Sequence, residues 1–144
     1  MVKISGTFTG RVRVQTVFAL PDADNHDLSV AEVSGPQKSS DPLWSDARIT
    51  YWGTADLIAG SGPQRGYWIN QRPSGETDWG TYEGKITTSG GQVTMEGTFK
   101  WTGGTGKFKG ISGTGTYKGR FSSPVDVVND WGGEYQLASA KAAG

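Results

Sequence analysis

The sequence predicts an all-β protein, an antiparallel meander of about eight strands closed into a β-barrel. Three observations predict it. Apolar and polar residues alternate with a period of two along most of the chain. The alternating segments are separated by short runs of Gly, Pro, Asn, Asp and Ser, which are turn formers. Glycines also fall inside those segments, where a closing sheet must bend or let another group come close. No segment shows a helical period. A two-sheet sandwich is the alternative architecture; the in-strand glycines favour the barrel.

Taken in order, Lys3 to Leu20 reads as a long first strand. Phe8, Gly10, Val12, Val14, Thr16 and Phe18 share one face, and Gly6 and Gly10 mark kinks. Residues 21–27 (PDADNHD) are turn chemistry. Their aspartates lack the glycine and distant glutamate of a calcium loop, so we read a solvated turn carrying His26 rather than a cation site. Leu28 to Val33 is a short second strand. Glu32 shares a face with Leu28 and Val30, which makes it either a lumen carboxylate or an edge residue turned to solvent. Residues 34–46 read as a loop that Trp44 pins to the wall.

Arg48 to Ala59 is the third strand, with Ile49, Tyr51, Gly53, Ala55 and Leu57 inward. Gln64 to Arg72 is the fourth, with an aromatic on each face. Asp78 to Thr88 is the fifth, with Gly80, Tyr82, Gly84 and Ile86 inward. The next two strands form a hairpin across a glycine-rich connection: Val93, Met95, Gly97, Phe99 and Trp101 face Ile111, Gly113, Gly115, Tyr117, Gly119 and Phe121. No helix pattern follows that connection, so it is a turn and not a phosphate cradle. Val127 to Leu137 is the last strand, with Trp131, Gly133, Tyr135 and Leu137 on one face. Residues 138–144 read as a frayed tail. The whole, 1–144, is one domain.

Composition narrows the function classes. The chain has 144 residues, 23 of them glycine, with 11% aromatic and only 19% charged residues. Fourteen basic and 14 acidic residues balance to zero, so no electrostatic argument favours nucleic acid or an anionic membrane surface. There is no cysteine and a single histidine, which excludes disulfides, thiolate chemistry and a multi-histidine zinc site. No apolar run approaches the ~20 residues of a membrane-spanning helix. No signal peptide is visible, so the expected location is cytoplasmic. No cofactor motif is present.

Residues 103–113, GGTGKFKGISG, resemble the G-G-[ST]-G-x-F-x-x-x-x-G signature of the allene oxide cyclase-like and dirigent-like barrels. The E-G-T-F-K-W strand before it and the G-T-Y-K-G-R strand after it are similar too, and the likeness covers the last third of the chain. The nearer resemblance is to bacterial members of the group. It implies an eight-stranded antiparallel barrel with an apolar cavity, and often a homotrimer. Plant members cyclise an unsaturated fatty-acid epoxide or steer phenoxy-radical coupling. No catalytic position carries over, since the cyclase's acidic and cysteine positions find no match here.

By alternation, Phe8, Val12, Val14, Phe18, Tyr51, Tyr82, Met95, Phe99, Trp101, Tyr117, Phe121 and Tyr135 line the interior. They either surround a cavity or fill it. Three functions fit. One is a binding barrel for a small hydrophobic or aromatic molecule, contacted by Tyr51, Tyr82, Met95, Phe99, Trp101, Tyr117, Phe121 and Tyr135. A second is a cofactor-free isomerase or cyclase, with Glu32 as acid or base and the Tyr51 or Tyr117 hydroxyl steadying charge. A third is an oligomeric or carbohydrate-binding surface built on Trp52, Trp68 and Trp79.

Overall fold

The computed structural model describes residues 1–138; most of the tail expected over 138–144 lies outside the described residues. Eight strands occur in chain order: β1 (Val2–Leu20), β2 (His26–Ser39), β3 (Arg48–Ile58), β4 (Gly62–Gln71), β5 (Thr77–Ser89), β6 (Gln92–Gly104), β7 (Ser112–Phe121) and β8 (Asp126–Gln136). Each pairs antiparallel with its neighbours, and β8 pairs with β1 to close the barrel. The all-β meander barrel read from the sequence is therefore the fold. Among the described residues no helix is long and apolar enough to cross a membrane.

The two ends differ. At one end the connections are tight turns, β3–β4 through Ala59-Gly60 and β5–β6 through Gly90-Gly91, all four at positive φ. Two successive residues of positive φ make a turn whose twist matches that of the strands it joins. At the other end the connections are longer and fold inward. The β2–β3 loop carries Trp44 and the β6–β7 connection carries Phe108 on a 3₁₀ turn, Gly106–Phe108; both rings are fully buried. The glycine-rich connection is thus a plug, where the sequence suggested a simple reversal.

The interior is aromatic, and the glycines explain how it fits. Rings lie across glycines on neighbouring strands, where a side chain would collide with them. A Cβ on Gly80 would sit 2.6 Å from the Trp68 ring. Cβ atoms on Gly84 and Gly97 would sit 2.5 and 2.7 Å from the Tyr117 hydroxyl. The alternation of large and absent side chains lets full-sized rings pack inside a narrow barrel. Phe8, Tyr51, Tyr82 and Tyr117 follow one another edge to face at 5.7–5.8 Å between ring centres. Such pairs add about 0.5–1.5 kcal/mol each beyond the area they bury.

The barrel departs from the expected faces in β1, β2 and β4. One extra residue, Arg13, bulges β1 between Val12 and Val14. A one-residue slip swaps the faces of everything beyond it. Val14 and Phe18, expected inside, are therefore exposed on the outer face. β2 runs on to Ser39, well past Val33, so Gln37 belongs to a strand and not to the expected loop. In β4 the inward residues are Trp68 and Asn70, while Tyr67 is 67% exposed.

Candidate functional site

Inside the barrel, between the plug and the tight-turn end, lies a cavity of about 70 Å³. Its walls are Phe8, Ile49, Tyr51, Trp68, Tyr82, Met95, Phe99, Trp101, Tyr117 and Trp131, with four amides, Gln37, Gln64, Asn70 and Asn129. Period-two alternation delivers each of these from its strand to the lumen. Of the predicted ligand residues, Tyr51, Tyr82, Met95, Phe99, Trp101 and Tyr117 line the cavity together. Phe121 and Tyr135 do not. Phe121 packs against the cluster of Val33, Met95, Tyr117 and Val127. Tyr135 sits against Trp44 at 4.8 Å, its hydroxyl donating to Asp41 Oδ2 at 2.5 Å.

Glu32 is not in the lumen. It pairs across the sheet with Val14 and Trp52, both on the outer face, and accepts a hydrogen bond from Trp52 Nε1 at 2.7 Å. Its other partner is Arg13, 4.0 Å away. Glu32 alternates along β2 with the buried, inward Val33, so it turns to the outer face and the acid–base role expected of it has no access to the cavity. Trp68, expected on the outer surface, is a cavity wall; Trp52 and Trp79 are exposed as expected.

The polar groups of the cavity fall into two sets. One set is fully engaged. Trp131 Nε1 donates to Gln37 Oε1 at 2.9 Å, Gln37 Nε2 to Asn70 Oδ1 at 3.0 Å, and Asn70 Nδ2 to Asp78 Oδ2 at 3.1 Å. The same Asp78 oxygen accepts from the indoles of Trp44 at 3.0 Å and Trp101 at 2.8 Å. Asp78 is 0% exposed, and Arg72 Nη1 approaches its other oxygen at 2.7 Å. That approach is too bent for a hydrogen bond, so it works as a charge contact. Arg72 lies 3.8 Å over the Phe108 ring and donates from Nε to the Leu43 carbonyl at 2.6 Å. A buried carboxylate needs this density of donors to be tolerated. The network anchors the plug and fixes which way each amide points.

The other set is unengaged. Asn129 is only 6% exposed, and its Oδ1 is buried with no partner among the described residues. The Tyr51 and Tyr82 hydroxyls also carry no hydrogen bond among the described residues, whereas Tyr117 accepts one from Gln64 Nε2 at 2.7 Å. Burial pushes all three phenols up, Tyr117 to about 12 and the other two further. They are neutral donors at any physiological pH, not bases.

His26, expected as a solvated turn residue, is held on both sides. Nδ1 meets Asp22 at 2.6 Å and Nε2 meets Asp56 at 2.5 Å, and the side chain is 11% exposed. The two carboxylates raise its pKa. Among the described residues no group of three or more His, Cys, Asp and Glu is arranged to hold a metal ion.

Sequence reasoning missed the amides and Trp68. Asn70 and Asn129 carry a usable signal, since each shares parity with an inward aromatic, Trp68 or Trp131. Gln37 carried none, because a proline at position 36 reads as loop.

Compared with protein-family models, curated proteins and solved structures, the chain matches none.

Proposed function

We propose that the protein binds a small uncharged molecule inside the barrel, one with an apolar body and a polar head that both donates and accepts hydrogen bonds. The observation that carries this reading is the buried, unpartnered Oδ1 of Asn129, a residue that lines a mostly aromatic cavity to which Tyr51 and Tyr82 also contribute, their hydroxyls free. Buried polar atoms are nearly always satisfied, and an exception calls for a partner. The Asn129 oxygen accepts; the phenols donate. A charged ligand is disfavoured, because no Asp, Glu, Lys or Arg lines the cavity, and the buried Asp78 behind Asn70 and Trp101 is neutralised by Arg72.

Size sets the ligand. A cavity of about 70 Å³ is roughly half of the ~150 Å³ that admits benzene in an engineered apolar cavity. It suits a molecule of a few heavy atoms, with Met95 the adaptable wall. At a ceiling near −1.5 kcal/mol per heavy atom, about five atoms bind no tighter than roughly 3 μM. The likeness to allene oxide cyclase-like barrels belongs to the same proposal and is consistent with the meander; a fatty-acid-sized substrate would need the rings to move apart. Turnover has less support than binding, since Glu32 lies outside and the phenols stay protonated.

The test is an NMR titration with isobutanol and acetamide. The expected result is saturable shifts of the Trp68, Trp101 and Trp131 indole signals, with Asn129→Leu weakening the tightest probe about tenfold. The proposal is overturned if no probe saturates, or if Asn129→Leu and Tyr51→Phe leave affinity unchanged.

A further inference from the structure

The barrel is not closed along its whole height. β8 pairs with β1 only from Val2↔Tyr135 to Arg11↔Asp126, and the last bond across that seam runs from the Val12 N–H to the Val125 carbonyl. From Val14 to Leu20, β1 keeps β2 on one side and, among the described residues, no strand on the other. In an antiparallel pair, alternate residues turn their N–H and C=O away from the partner. This stretch therefore offers a row of free backbone groups.

Such an edge pairs with any strand it meets unless Lys, Pro, an inward charge or brevity blocks it. Residues 14–20, VQTVFAL, contain none of those blocks. Val14, Val17 and Phe18 are each more than half exposed. The bulge at Arg13 puts Val14, Thr16 and Phe18 on the outer face, beside exposed Leu28, Val30 and Trp52. Free backbone and apolar surface thus coincide.

We propose that this edge is a dimer seam: β1 of one chain pairs antiparallel with β1 of a second copy, about a two-fold axis, through residues 14–20. Charge and register select a second copy over an unrelated strand. The segment is uncharged and the chain has no net charge, so identical edges meet without repulsion. Pairing centred on Thr16 is self-complementary, as a two-fold contact must be. It sets Val14 opposite Phe18 and Gln15 opposite Val17 of the second copy, and it keeps the outer-face side chains of both copies on one side. Leu28, Val30 and Trp52 widen the apolar surface behind the seam. The seam is separate from the cavity and stands or falls independently of it.

Sedimentation velocity from about 1 to 300 μM tests this, covering the micromolar range typical of small interfaces. The expected result is a reversible dimer, with Phe18→Lys or Val14→Lys weakening it at least about tenfold by setting charge into the seam. Both side chains are exposed in the single chain, so the variants should keep their near-ultraviolet circular dichroism. Amide exchange over residues 14–20 should be slower in concentrated wild type than in either variant. A wild type that stays monomeric throughout, a dimer indifferent to both substitutions, or a closed trimer would each overturn the proposal. So would an edge protected only when an unrelated extended peptide is added.

Discussion

Asp78 is the residue on which the closed end depends. It takes three neutral donors and one cation while wholly out of water. Asp78→Ala strands Arg72 and two indoles together, and removing one partner of a buried pair costs about 3–5 kcal/mol. Urea denaturation should show a loss of that size, with Trp44 fluorescence reporting a loosened plug. The seats of the rings are just as local. Gly84→Ala drives a methyl into the Tyr117 hydroxyl and the Glu96 carbonyl, and should cost about 1–3 kcal/mol. Replacing an outward residue such as Lys85 with Ala should fall within about 0.5 kcal/mol. Tyr117, the ring on this seat, was readable from parity, whereas Trp68 over Gly80 was not. Their glycines were readable only as positions where the chain bends or is approached closely. Asp78 was not readable as a buried charge, because it opens its strand beside a turn and nothing local marks it as enclosed.

At the scale of elements, two turns make opposite predictions. Ala59 holds a left-handed conformation, φ 53°, ahead of Gly60. That conformation costs an ordinary L-residue about 1–2 kcal/mol, and Asn tolerates it better. Ala59→Asn should stabilise by about 0.5–1 kcal/mol and raise Tm by roughly 2–5 °C. The β1–β2 turn is tied down by charge instead. Asp22 and Asp56 raise the pKa of His26, so the clamp is complete below the unfolded value near 6.5 and is lost as pH climbs through the higher folded one. Amide exchange over residues 21–25 should quicken across that window faster than base catalysis alone predicts. His26→Ala should flatten the difference. Strand order was legible because every strand carries its own period of two. The faces of β1 beyond Arg13 were not, since a bulge leaves no mark in composition yet reverses every later residue. Glu32 was open to either face, since nothing in its short strand marks the inner side; β2 buries Val33, so Glu32 points out and the enzyme reading lost its base.

For the whole molecule, closure is the central fact. Ring topology brings the first strand to the last, and contacts so distant in sequence make folding slow. Deleting residues 1–10 should therefore unfold the protein as a unit rather than trim it, with near-ultraviolet circular dichroism and indole dispersion lost together. The two ends of the ring will also answer differently to added chain. At Gly90-Gly91 nothing lies within 4 Å of where a side chain would begin, and β5 and β6 stay paired right up to the turn, Ser89 with Gln92. At Gly104 the same construction meets Phe108 at 2.7 Å. Foreign peptide spliced into the first should be carried as a display loop on an intact scaffold, while the same graft in the second would pull out the stopper and open the vessel.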